Sequence, residues 1–184
     1  MLNGEKITIR PFTLSDVKSM LELLQRNRSF LQPFEPIRPE TYFTYTGQRL
    51  AIEQAIEQWK KDQGYSFGIF LKKSDSLIGR VNLSNVVRGA WQNCTIGYFL
   101  DEQMQGKGYM TEAVKLAVQY AFATAGLHRV QAAIMPRNLA SKRVIEKAGF
   151  RYEGISKRYL YINGKWEDHE IYAITSEEWP MALI

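Results

Sequence analysis

The sequence predicts a mixed α/β fold: one domain with a mostly antiparallel central sheet flanked by helices. Three observations point to it. A row of β-rich runs occupies Tyr65 to Leu100, helical and strand patterns alternate after it, and an Asn-Gly hairpin signal lies near the end. The 184 residues suit one domain, since domains commonly hold roughly 100–200 residues. A hydrophobic content of 45% beside 23% charged residues is ordinary for a folded soluble chain.

Taken in order, Glu5 to Arg10 alternates around Ile7 and Ile9 as a strand does. Thr13-Leu14-Ser15-Asp16 then offers a capping signal before Val17, Met20, Leu21 and Leu24 at helical spacing. Pro33, Pro36 and Pro39 impose an irregular segment, with Phe30, Leu31, Phe34 and Tyr42 beside it. Two readings of this stretch stay open: it lines a substrate cleft, or its aromatics close the edge of the core. A helix resumes from Leu50 to Lys61. Tyr65–Leu71, Leu77–Val87 and Asn93–Leu100 follow as an antiparallel meander.

Tyr109 to Thr124 reads as a helix with Met110, Ala113, Val114, Ala117 and Ala121 on one face, and Gly126 can end it in a left-handed conformation. Val130 to Met135 is a short buried strand. Asn138 can cap a helix running through Lys147, with Val144 and Ala148 inward, before a strand beginning at Phe150. Asn163-Gly164 joins Tyr159–Ile162 to Trp166–Ile174 as a two-residue hairpin.

Composition narrows the function. The apolar runs stop short of the roughly 20 residues that a membrane span needs, and the first residues lack a secretory layout, so a cytoplasmic protein without a membrane partner is expected. A lone Cys94 and two distant histidines, His128 and His169, give no disulfide within the chain and no metal-ligand spacing. Cys94 has no matched His and acidic partner, which favours a buried strand cysteine over a nucleophile. A net charge of +5 suits an anionic partner such as a phosphate-rich cofactor, RNA or an acidic surface. There is no run of like charges, repeat or RNA-binding motif to favour RNA.

The chemistry concentrates where a strand ends near Leu100, a loop carries Gly106 and Gly108, and a helix opens directly afterwards. A helix N-terminus presents unpaired N–H groups and a positive dipole end, and glycine lets backbone approach phosphate without a Cβ. An ordinary strand-to-helix turn uses the same chemistry. The spacing is neither a Walker loop nor a full Rossmann fingerprint.

Gln103-Met104-Gln105-Gly106-Lys107-Gly108 resembles the acetyl-CoA loop, Q/R-x-x-G-x-G/A, of GNAT acyltransferases. The similarity extends through Tyr109-Met110-Thr111-Glu112-Ala113 and back to Ile96-Gly97-Tyr98-Phe99-Leu100. A second block is Asn138-Leu139-Ala140-Ser141 with Glu146-Lys147-Ala148-Gly149-Phe150. A third is Gly154 with Tyr161-Ile162-Asn163-Gly164-Lys165-Trp166 and Asp168-His169. Together the blocks resemble the subgroup of the RimJ and RimL ribosomal-protein alanine N-acetyltransferases.

The resemblance implies a GNAT fold whose sheet splays at the acetyl-CoA site. The strand around Phe99 and Leu100 would bond the pantetheine arm. The loop from Gln103, with the amides of Gln105, Gly106, Lys107, Gly108, Tyr109, Met110 and Thr111, would hold the pyrophosphate. Asn138 and Ser141 would face the thiol end. A hydroxyl at Ser141 can donate to departing sulfur, while the plain alternative makes Asn138 an N-cap and Ser141 a first-turn residue bonded to backbone. The reaction would be direct attack of a neutral amine on acetyl-CoA, with no acyl-enzyme.

One departure bears on the acceptor. Many relatives place a glutamate two residues before the Gly-Tyr pair, where this chain has Thr95, and threonine is no general base. At pH 7 an α-amine of pKa about 8 is about one-tenth neutral, and a lysine near 10.4 only about once in a few thousand. A site lacking a strong base should therefore favour a protein N-terminal α-amine, and the resemblance to the RimJ and RimL subgroup implies a ribosomal protein as acceptor and ribosomal association. Glu102, Glu153 and Asp168 stay open as bases, and His169 as either a base or a structural hydrogen-bonder. Two other functions compete: a small-molecule amine acetyltransferase, and a non-catalytic CoA- or RNA-binding module. The oligomeric state is not legible.

Overall fold

The computed structural model describes residues 1–180. Eight strands form one sheet: β1 (Leu2–Asn3), β2 (Ile7–Pro11), β3 (Tyr65–Leu71), β4 (Leu77–Val87), β5 (Asn93–Leu100), β6 (Arg129–Ile134), β7 (Arg151–Ile162) and β8 (Lys165–Thr175). Among the described residues five α-helices accompany it: α1 (Val17–Arg26), α2 (Arg28–Leu31), α3 (Tyr45–Lys60), α4 (Tyr109–Ala123) and α5 (Leu139–Lys147). The strand order is β1-β2-β3-β4-β5-β6-β8-β7. Every neighbouring pair is antiparallel except β5 and β6, which are parallel and joined by α4 as crossover.

The alternation along each strand sends side chains to two apolar layers. Ile7 and Ile9, Tyr65, Phe67 and Ile69, Cys94 and Ile96, and Val130 and Ala132 face a layer shared with α4. Ala113, Val114, Ala117, Val118 and Ala121 of that helix are fully buried, and their small side chains let it lie close to the sheet. Phe12, Phe70, Leu77 and Phe99 face the opposite layer, filled by Val17, Met20, Leu23 and Leu24 of α1 and Ile52 of α3.

Several local expectations need adjusting. α3 begins at Tyr45, five residues before the apolar spacing starts, because the Thr44 hydroxyl accepts the Gly47 N–H and caps it. The proline-rich stretch contains α2 and two 3-10 turns, Gln32–Phe34 and Glu40–Phe43. In α5 the fully buried side chain is Ile145, with Val144 only partly covered and Ala148 buried as expected. No described helix is long and apolar enough to cross a membrane.

Candidate active site

The parallel register between β5 and β6 covers only Asn93↔Arg129, Cys94↔Val130 and Thr95↔Gln131. β5 continues through Leu100 against β4, where Leu100 still pairs with Gly79. From Ile96 onward, then, one edge of β5 is paired and the other turns toward a gap that β6 no longer fills. Such a split, at the carboxyl ends of two parallel strands, is where open α/β sheets receive ligands. Phe99 and Leu100 lie on this stretch. Their side chains go to the two apolar layers, the Phe99 ring beneath Arg80, so only their backbone edge is offered to a ligand.

Beyond Leu100 the chain is held by contacts that sequence spacing does not reveal. Asp101 is buried. Its carboxylate accepts from Arg26 Nε at 2.8 Å and from the Gln103 N–H at 3.2 Å. Asn27, also buried, accepts the Glu102 N–H at 2.9 Å and donates to the Leu23 carbonyl at 2.9 Å. The loop is thereby pinned to the end of α1. Gln103, Gln105, Gly106, Lys107 and Gly108 are then exposed, and Lys107 Nζ reaches back to the Gln103 carbonyl at 3.1 Å.

Gly106 and Gly108 both take left-handed backbone, with φ of +75° and +84°. Gly108 is the N-cap of α4, and the first bond of the helical ladder runs from the Glu112 N–H to its carbonyl. The N–H groups of Tyr109, Met110 and Thr111 precede that ladder. The Met110 side chain is buried in the core, so its backbone alone faces the loop. Two glycines with room for a closely approaching group, ahead of a fifteen-residue helix with its positive end outward, form a cradle suited to a pyrophosphate.

On the other side of the gap, Asn138 caps α5 by accepting the Ser141 N–H at 3.1 Å. That bears out the capping reading and leaves the Ser141 hydroxyl to be placed by another group. Tyr98 Oη lies 2.8 Å from Ser141 Oγ. Lys142 is paired with Glu170 of β8 at 2.9 Å, and Tyr172 donates to the same carboxylate at 2.8 Å, which fixes α5 against the sheet.

The candidate bases divide. Glu153 is clasped by Arg129 and Arg151, and those cations hold its carboxyl below the usual range. Asp168 accepts from Lys157 and from the Arg158 N–H, with the same result. A carboxylate held this way is a weakened base. His169 is buried, which pushes its pKa down and keeps it neutral. Its Nδ1 donates to the Glu167 carbonyl at 3.0 Å, leaving Nε2 as an acceptor. Cys94 is wholly buried and its thiol is pushed up to about 12, so it is no nucleophile at neutral pH.

The proline-aromatic segment and the β7–β8 hairpin meet. The Asn163 N–H donates to the Glu35 carbonyl at 3.0 Å, and Arg137 bridges the Pro33 carbonyl at 3.1 Å and Glu167 at 2.8 Å. Asn163 and Gly164 both have positive φ, as a type I′ turn requires. Tyr161 and Trp166 stand exposed in a T-shaped pair with ring centroids 5.5 Å apart. Tyr42 instead packs against the α1 layer, edge-on to Phe43.

Comparison with known proteins agrees with this geometry. The family model described as Acetyltransferase (GNAT) domain matches residues 6–151. The chain belongs to the GNAT acetyltransferases. It is 49% identical over 178 residues to the probable N-acetyltransferase YjcK of Bacillus subtilis, covering 97% of this chain and 98% of that one. The crystal structure of ribosomal-protein-S5-alanine acetyltransferase from Vibrio fischeri superposes with a TM-score of 0.91 at 36% identity, covering 97% of each chain. Mycobacterium smegmatis RimJ, solved in complex with CoA-disulfide, gives 0.90 at 29% identity, covering 95% of this chain and 84% of that one. The GNAT acetyltransferase is thus an acyl-CoA-dependent transferase with acetyl-CoA as its co-substrate.

Proposed function

We propose that this GNAT acetyltransferase, acting as one domain, moves the acetyl group of acetyl-CoA to the N-terminal α-amine of a protein, with a ribosomal protein as the preferred acceptor. In this reading the pantetheine arm lies along the free edge of Phe99 and Leu100, and the pyrophosphate rests on the loop from Gln103 to Thr111. Asn138 and Ser141 sit at the thiol end. The amine attacks the thioester carbonyl, backbone N–H groups stabilise the oxyanion, and Ser141 donates to sulfur as it departs.

The observation that carries the choice of amine is the scarcity of strong base. Thr95 occupies the strand position just before the split, and Glu153 and Asp168 are each tied to cations. A lysine would need a strong base, whereas an α-amine already supplies about a tenth of its population neutral at pH 7, and solvent can take the proton it sheds. The likeness to an S5-alanine acetyltransferase supports the same acceptor, as does a net charge of +5, suited to ribosomal surroundings in the cytoplasm. The joined 28–44 segment and hairpin offer a wall for the first residues of a peptide, with Tyr161 and Trp166 exposed on it.

The test is to incubate the enzyme with acetyl-CoA and matched peptides beginning with Ala, Ser or Met, each with an internal lysine, alongside a panel of free amines. Mass spectrometry then locates the acetyl group. Transfer to the peptide N-terminus is expected. Exclusive lysine modification, or turnover of free amines alone, would refute the acceptor and leave the family assignment intact.

A further inference from the structure

From Ile96 to Leu100 no backbone pairing joins β5 to β6, yet one side chain spans the gap. Tyr98, partly buried on β5, places Oη 2.8 Å from Ser141 Oγ and 3.1 Å from the Ser141 backbone oxygen. These three oxygens share two protons, one from the phenol and one from the serine. In one arrangement Ser141 donates to Tyr98 and Tyr98 donates to the Ser141 carbonyl, which uses both. In the other, Tyr98 donates to Ser141 Oγ and the serine proton is free to point elsewhere. A serine in a helix often spends its proton on a carbonyl of the preceding turn. Here Tyr98 supplies the partner instead, from the opposite side of the split.

We infer that Tyr98 is a positioning residue for acetyl transfer: it holds the Ser141 hydroxyl and, as charge builds on sulfur, donates to Oγ so that the serine proton is aimed at the departing thiolate. This rests on Ser141 being the donor to sulfur. The C–N bond forms from the amine lone pair, the C–S bond breaks with its electron pair going to sulfur, and the amine's extra proton leaves to solvent. Tyr98 keeps its proton throughout. Burial raises the phenol's pKa and disfavours phenolate, so its contribution is a hydrogen bond that polarises the next one.

The test is a cycle of Tyr98→Phe, Ser141→Ala and the double variant. Single-turnover rates are read with acetyl-CoA pre-bound and the best acceptor from the peptide and amine panel. CoA affinity is measured in parallel. Tyr98→Phe is expected to slow transfer roughly three- to tenfold, the value of one hydrogen bond, with acceptor KM and CoA affinity unchanged. In the Ser141→Ala background the same change is expected to cost less than about twofold, because the two groups act as a unit. A wild-type rate for Tyr98→Phe beside a slow Ser141→Ala overturns the role of Tyr98 alone. Equal losses in both backgrounds also overturn it, since the phenol would then act without the serine. A wild-type rate for Ser141→Ala removes the donor reading itself, and this inference with it.

Discussion

Asparagine and valine at position 108 separate two effects that a single substitution would merge. Gly108 has φ +84° and ψ −5°. A Cβ added there meets no heavy atom within 4 Å, so in the protein alone the penalty is backbone strain without a clash. An L-residue held in left-handed backbone loses about 1–2 kcal/mol, whereas asparagine adopts this region more readily. At about 2–4 °C per kcal/mol for a chain of this size, valine should lower the unfolding midpoint by about 2–8 °C and asparagine by less. CoA binding should respond differently. A side chain at Gly108 stands where backbone must approach the pyrophosphate, and each hydrogen bond to a charged group contributes about 1.5–3 kcal/mol. Losing two removes at least about 3 kcal/mol, or roughly a hundredfold in Kd. Calorimetric titration of CoA into both variants, beside their thermal unfolding, measures the two quantities. A folded Gly108→Asn protein with wild-type CoA affinity would refute the placement of the pyrophosphate.

Other consequences are open to measurement. Ser141→Ala should lower single-turnover acetylation by roughly a hundredfold or more if its hydroxyl serves the departing sulfur, with CoA affinity little changed. Asn27→Ala, which breaks both bonds made by a buried side chain, should destabilise the protein by about 1–3 kcal/mol. It should also weaken CoA binding although Asn27 lies outside the loop; calorimetry showing unchanged affinity would mean that the α1 tether does not position it. His169→Gln tests linkage. Burial depresses the folded pKa of His169, so between that value and about 6.5 the unfolded chain binds a proton that the folded one does not. Its contribution to stability is therefore full above that upper value and is lost as pH falls through the window, by up to about 1.4 kcal/mol per pH unit. Denaturant titrations of the glutamine variant should show a shallower acid-side slope, and an identical slope would contradict the buried neutral state.

Local physics made much of this fold legible. Tyr65–Leu71, Leu77–Val87 and Asn93–Leu100 stand where β-propensity and turn residues put them, and Asn163-Gly164 turns as the dipeptide requires. The glycine loop and the Asn138 cap were visible because each is a short-range device. What sequence could not show is set by distance along the chain. Strand β8 lies between β6 and β7 and pairs antiparallel with both, and two-residue β1 is held by pairing with β2. The Asp101–Arg26 and Asn27–Glu102 ties join residues 75 positions apart. Tyr98 stood in a recognised strand motif, yet its link to Ser141 depends on where β5 and α5 come to rest. Glu153 and Asp168 looked free to act as bases until folding supplied their cations.

The most direct measurement is a crystal structure with CoA and an Ala-initiated peptide bound. The pyrophosphate is expected on the N–H groups between Gln105 and Thr111, the pantetheine arm against the free edge of Phe99 and Leu100, and sulfur beside Ser141 Oγ. The peptide's α-amine should face the thiol end, between the 28–44 segment and the hairpin. CoA seated away from the β5–β6 split, or sulfur out of reach of Ser141 with the peptide elsewhere on the surface, would contradict it.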